Sequence, residues 1–142
     1  MQGPRRAFKN WCNGAAGILM TLASTGALEP ERLPSQELTQ LLERVSQRGQ
    51  SDHWCCGNFG IAEALNYVGR EADLPEAKSK SGILLKESLD RGLKGGFFRL
   101  QSSLGENFCF SPSLFRGTAG IGYSLLRAAF PGELPCILAF EV

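Results

Sequence analysis

A five-residue phrase, Gly-x-x-Gly-Ile, occurs three times in this chain: Gly14-Ala15-Ala16-Gly17-Ile18, Gly57-Asn58-Phe59-Gly60-Ile61 and Gly117-Thr118-Ala119-Gly120-Ile121. Copies separated by 43 and 60 residues mark a repeated supersecondary unit, and a repeat of that size constrains the fold more than composition does. The first two copies are introduced by tryptophan and cysteine, as Trp11-Cys12-Asn13 and Trp54-Cys55-Cys56. Three thiols therefore come to equivalent corners of the repeat.

The residues that follow each phrase are apolar and rich in helix formers: 17–23, 61–68 and 121–129. They predict buried helices, because each stretch exceeds a typical strand and none alternates with period two. The two glycines of each phrase, three apart, lie on one face of the first helical turn. Their missing side chains are expected to let helices approach closely. Between the apolar stretches lie more polar ones. Leu38, Leu41, Leu42 and Val45 form one buried stripe on a helix opening at Pro34-Ser35 and running to about Arg48. Gly49 is expected to end it in the left-handed conformation. A second helix is expected from about Leu74 to Arg91, capped by Asp73, with Pro75 early in it and Gly92 ending it. Buried and amphipathic helices in alternation suggest a solenoid, or a closed ring with apolar helices inside and amphipathic ones outside. The stretch 95–112 breaks the pattern and reads as a short hairpin or an irregular loop.

At 142 residues one domain is the default. A net charge of +1 gives no reason to propose nucleic acid or an anionic membrane as partner, and the charged residues are expected on solvated helix faces. No stretch reaches the roughly 20 apolar residues of a membrane span. The basic start, Met1 to Arg6, leads into a stretch broken by Lys9, Asn10 and Asn13, unlike a secretory signal. Five cysteines without small-scaffold spacing point to a reducing, cytoplasmic setting, with thiols free or metal-bound and not paired.

If the buried helices pack side by side, Cys12, Cys55 and Cys56 converge at one end of the bundle. Zinc favours tetrahedral sulfur and nitrogen ligation, and a catalytic site keeps one position open. Helix N-termini would favour thiolate over thiol. The alternative is that the three are small buried hydrophobes, and on spacing alone that plainer reading has the edge. His53, the single histidine, sits beside the cluster as a surface or hydrogen-bonding group, a metal ligand or an acid. Trp11 and Trp54 are expected to pack around the pocket. Cys109 and Cys136, outside the repeated position, are expected to be structural.

These same residues carry a resemblance. Trp-Cys-x-Gly-x-x-Gly-Ile, then Cys-Cys-Gly-Asn-x-Gly, then Ser-Leu-Phe-x-Gly-x-x-Gly-Ile-Gly-Tyr resembles the lanthionine synthetase C-like cyclase family. Within it, the sequence is most similar to the C-terminal cyclase domain of the bifunctional class II lanthipeptide synthetases. The resemblance implies an all-α fold, an α/α toroid of helix pairs like that of six-hairpin glycosidases. Residues 1–142 would then form a single partial domain, an arc of about three repeats at the C-terminal part of the toroid. It also implies Zn²⁺ held by Cys12, Cys55 and Cys56, the ligand set of a three-cysteine subgroup.

The implied chemistry is ring closure in a precursor peptide. A zinc-bound cysteine thiolate of the peptide adds to a dehydrated Ser or Thr to form a thioether, and an acid protonates the resulting enolate. Three thiolates would leave the metal site negatively charged, which suits a nucleophilic thiolate better than activation of water. The family's upstream histidine and aspartate have no counterpart in this sequence; His53, beside the cluster, is a candidate acid or supporting group. Asn13 stands where histidine or tyrosine is usual. An arc of three repeats cannot close a ring and is expected to expose apolar flanks. A second polypeptide supplying further repeats, a non-catalytic zinc- or peptide-binding module, and a truncated inactive remnant remain as readings.

Overall fold

The structure, a computed structural model, describes residues 9–29, 31, 35–100 and 111–141. Five α-helices follow in order: α1 (Ala15–Ser24), α2 (Ser35–Ser46), α3 (Asn58–Glu71), α4 (Pro75–Gly95) and α5 (Thr118–Ala129), with a 3-10 turn at Ile137–Ala139. The described residues contain no strand, so the all-α expectation holds. The basic start, Cys109 and most of the stretch expected to be a hairpin or loop lie outside the described residues.

The starts of α1, α3 and α5 explain why the phrase repeats. In each, the first glycine precedes the helix in extended conformation, with φ −153° at Gly14, −107° at Gly57 and −130° at Gly117, and no side chain caps the helix. The backbone supplies the cap. Ala16 N–H donates to the Lys9 carbonyl, Asn58 to Ser51, Phe59 to Asp52 and Thr118 to Ser111, satisfying amides that a helix start leaves without partners. The second glycine is where the chain passes over itself. A Cβ at Gly17, Gly60 or Gly120 would overlap the carbonyl oxygen of Trp11, Trp54 or Leu114. The expected close approach between helices is thus corrected: the bare glycine face chiefly admits the helix's own preceding turn. Only Gly120 also meets a side chain from another turn, that of Trp54.

Helix α3 is the centre of the fold. The other four helices and the 3-10 turn supply its neighbours, α4 and α1 above all, and it is buried at nearly every position. Phe59, Ile61, Leu65 and Val68 of α3 pack with Leu42 and Val45 of α2, Leu84 of α4, Leu19 and Met20 of α1, and Ile121 of α5. At about 1.5–3 kcal/mol per buried large apolar side chain, these contacts make α3 the energetic core. Helices α1 and α5 each carry exposed apolar side chains, with Ile18 63% and Leu126 51% exposed.

Several local expectations are corrected. Helix α2 stops at Ser46, and Gly49 is not a left-handed cap, since among the described glycines positive φ occurs at Gly26, Gly96 and Gly132. The Gly49 amide instead donates to Asn58 Oδ1 at 2.6 Å. Asp73 does not cap α4. It takes φ +48° in the tight α3–α4 turn, and Leu74 is the capping position, with no side-chain bond. Gly92 does not end α4; left-handed Gly96 does. Gly92 is buried because the Phe98 ring lies against it, where that ring meets Phe59 edge-on at 5.5 Å. Not every charge is solvated either. Glu63 of α3 and Arg127 of α5 form a buried pair at 3.0 Å, bridging the two helices.

Candidate metal centre

The shared turn geometry and the packing of α1 on α3 bring the cysteines together. Cys12 Sγ lies 2.9 Å from Cys56 Sγ, and Cys55 Sγ lies 3.4 Å from Cys56 Sγ. All three sulfurs fall within 4.8 Å of one another. None is in a disulfide; Cys12 is exposed and the other two are half-buried. The third copy of the turn puts Phe115 and Arg116 where the others carry cysteines or asparagine. It contributes backbone and ring in place of sulfur. The Phe115 carbonyl accepts the Cys55 N–H at 2.7 Å, and its ring stacks on Trp11 at 6.0 Å and Trp54 at 6.1 Å. Trp54 is fully buried and also meets Tyr123 edge-on. Trp11 therefore lines the cleft beside the cluster as expected, while Trp54 packs in the core behind it.

Cys55 and Cys56 are held toward the thiol form. Burial pushes Cys55 up, with Cys12 adding to the rise, and pushes Cys56 up to about 12, where two neighbouring sulfurs reinforce the effect. The attraction of a helix N-terminus, about 0.3–1 kcal/mol, does not overcome this at Cys55 and Cys56, which corrects for these two the expectation that helix N-termini favour thiolate. A cation is what would draw the protons off.

His53 is buried and is not part of the three-sulfur group. Its Nδ1 accepts the Cys56 N–H at 3.2 Å, which assigns its proton to Nε2. Burial first, then the Arg116 charge, lower its pKa, with Asp52 opposing. Its role on display is to hold the turn that carries Cys56.

The support beneath that turn was missed in the sequence. Asp52, fully buried, accepts two hydrogen bonds from the Arg91 guanidinium at 2.7 and 2.5 Å. It also accepts from the Arg99 N–H at 2.8 Å and from Asn58 Nδ2 at 2.9 Å. Burial would raise its pKa, but these donors outweigh burial and hold the carboxyl below its ordinary value. One signal was available: Asn58 occupies the position held by Ala15 and Thr118 in the other copies. Arg91 and Arg99, 39 and 47 residues from Asp52, gave none.

On its open side the cluster continues into a cleft of about 860 Å³ along α1, lined by Trp11, Cys12, Ile18, Leu138 and Phe140 among others. Three sulfurs at about 2.3 Å from a common zinc would stand roughly 3.8 Å apart, between the 2.9 Å shortest separation and the 4.8 Å limit of the group. The donor set is soft, and the most exposed member faces the cleft. These residues fit zinc.

The family model described as lanthionine synthetase C-like protein matches residues 1–139. No curated protein and no solved structure matches the chain.

Proposed function

The chain belongs to the lanthionine synthetase C-like family, and from that premise we propose that it is a zinc protein acting on thiol-bearing peptides. Its family relation to lanthionine cyclases is the coarse part of this reading. The observation that carries the finer part is the convergence of Cys12, Cys55 and Cys56 from two separate turns into one group. These three would hold zinc. The metal, when bound, supplies a positive charge that lowers the pKa of a substrate thiol and keeps the thiolate at hand for addition to a dehydrated residue. The chain's own residues do the rest. Phe115 and His53 hold the Cys55-Cys56 turn from two sides. Trp11 and the apolar wall of the cleft, which begins at Cys12, exclude water from an approaching peptide.

The test begins with metal. The purified full chain is expected to hold one zinc per molecule, and cobalt in its place should give sulfur-to-metal charge-transfer absorption. Cys12→Ser and Cys56→Ser should each weaken binding at least tenfold. Activity is then read on a dehydrated precursor peptide. Thioether closure leaves the mass unchanged, so the readout is loss of alkylatable peptide thiol. A metal-free protein with ordinary thiols in the presence of excess zinc would sink the reading.

A non-catalytic module that binds a thiol peptide is the second reading. What favours it is His53, whose Nδ1 is already committed to the Cys56 amide, leaving one ring nitrogen for any mobile proton. Peptide binding without loss of alkylatable thiol would select it.

A further inference from the structure

The shortest approach between two thiols joins residues 44 positions apart, Cys12 and Cys56, at 2.9 Å. A disulfide asks for about 2.05 Å between the sulfurs, so closure needs less than one ångström of further approach. The competing pair is worse placed for a different reason. Cys55 and Cys56 are neighbours, and consecutive Cα atoms stand about 3.8 Å apart, inside the usual lower bound of about 4.4 Å for a disulfide. Cys136 is fully buried and shielded from dissolved oxidants. Access also has a direction: Cys12 is exposed and Cys56 is half-buried.

We propose that Cys12 and Cys56 form a reversible disulfide under peroxide, an oxidised state of the cluster that excludes a metal. Cys12 attacks hydrogen peroxide, the O–O bond breaks, and Cys12 becomes a sulfenic acid as hydroxide leaves and takes up a proton. The Cys56 sulfur then attacks the Cys12 sulfur, the S–O bond breaks, and a second water leaves. Two thiols and one peroxide give one disulfide and two waters, and the two electrons pass from sulfur to peroxide. The bond withdraws two of three sulfur donors and ties the turn before α1 to the turn before α3. The disulfide itself needs only the two thiols; its effect on the metal rests on the zinc reading above.

The full chain, freed of metal, is treated with one equivalent of hydrogen peroxide, alkylated and digested with trypsin. The expected product joins the fragments 10–32 and 49–70, has lost two alkylatable thiols, and reverts with dithiothreitol. Cys55→Ser should retain the cross-link, whereas Cys12→Ser and Cys56→Ser should each abolish it. Zinc loaded beforehand should slow the reaction at least tenfold, and zinc should leave as the cross-link forms. A dominant linkage through Cys55, Cys109 or Cys136, or sulfinic acid at Cys12 with no cross-link, overturns the proposal. Equal rates with and without bound zinc overturn the metal-excluding part. A cross-link that forms in a chain unable to bind zinc upholds the disulfide and counts against the zinc reading alone.

Discussion

The turn before α3 and the turn before α5 share a backbone and differ in what they carry. In both, an extended glycine precedes the helix, first-turn amides donate to a carbonyl upstream, and a second glycine lies against a carbonyl of the turn. The first presents Cys55 and Cys56, with Asp52 buried beneath them in a network of charged and amide donors. The second presents Phe115 and Arg116 and is braced by the exposed Ser113 hydroxyl, whose Oγ accepts the Arg116 N–H at 3.3 Å. The device that aims the turn is independent of the chemistry mounted on it. Where two sulfurs must stand beside a third, the turn is anchored by an ion pair between buried Asp52 and half-buried Arg91; where a ring and a carbonyl suffice, hydroxyls are enough.

The largest contrast should come from those anchors. Asp52→Ala strands the Arg91 guanidinium and is expected to cost about 3–5 kcal/mol, whereas Ser113→Ala, an exposed hydroxyl, should stay within about 0.5 kcal/mol. Urea unfolding of both variants measures the difference, and similar losses would erase the distinction between the turns.

Next come the glycines that admit the carbonyls. Gly60→Ala and Gly120→Ala should each lose about 1–3 kcal/mol or more through overlap, with Gly60 the worse because α3 is packed on every side. A thermal melt in which both variants match the parent would remove the self-crossing explanation of the phrase.

Acid should act selectively on one turn. The folded-state pKa of Asp52 lies below its unfolded value, so its contribution is complete above the unfolded value and is lost as pH falls through the folded one. Stability of the metal-free chain should therefore decline below about pH 4, and Asp52→Asn should flatten that part of the profile. Smallest is Gly122→Ala on α5, where an added Cβ meets open space. The change should stabilise by up to about 1 kcal/mol through helix propensity, which a melting temperature would register; a loss there would mean that the outer face of α5 is not free.

The sequence was legible where the signal is local or periodic. The stripe of α2, the apolar runs of α1, α3 and α5, and the equivalence of Cys12 and Cys55 all follow from spacing. Helix ends were less legible. Gly49, Asp73 and Gly92 look like stop or cap residues, yet each is used by a tertiary neighbour or turn: Asn58 binds the Gly49 amide, the α3–α4 turn takes Asp73, and the Phe98 ring covers Gly92.

The sequence by itself therefore determined the repeat, the helical class, the family and the three sulfurs. It could do so because a backbone turn that must pass over its own glycine leaves a fixed local pattern. Only the tertiary structure decided that Asp52, Asn58 and Arg91 hold the thiol turn, that His53 faces the Cys56 amide, and that Glu63 and Arg127 pair inside. Those choices depend on burial and on partners tens of residues away, and a charged residue reads the same in sequence whether water or another side chain satisfies it.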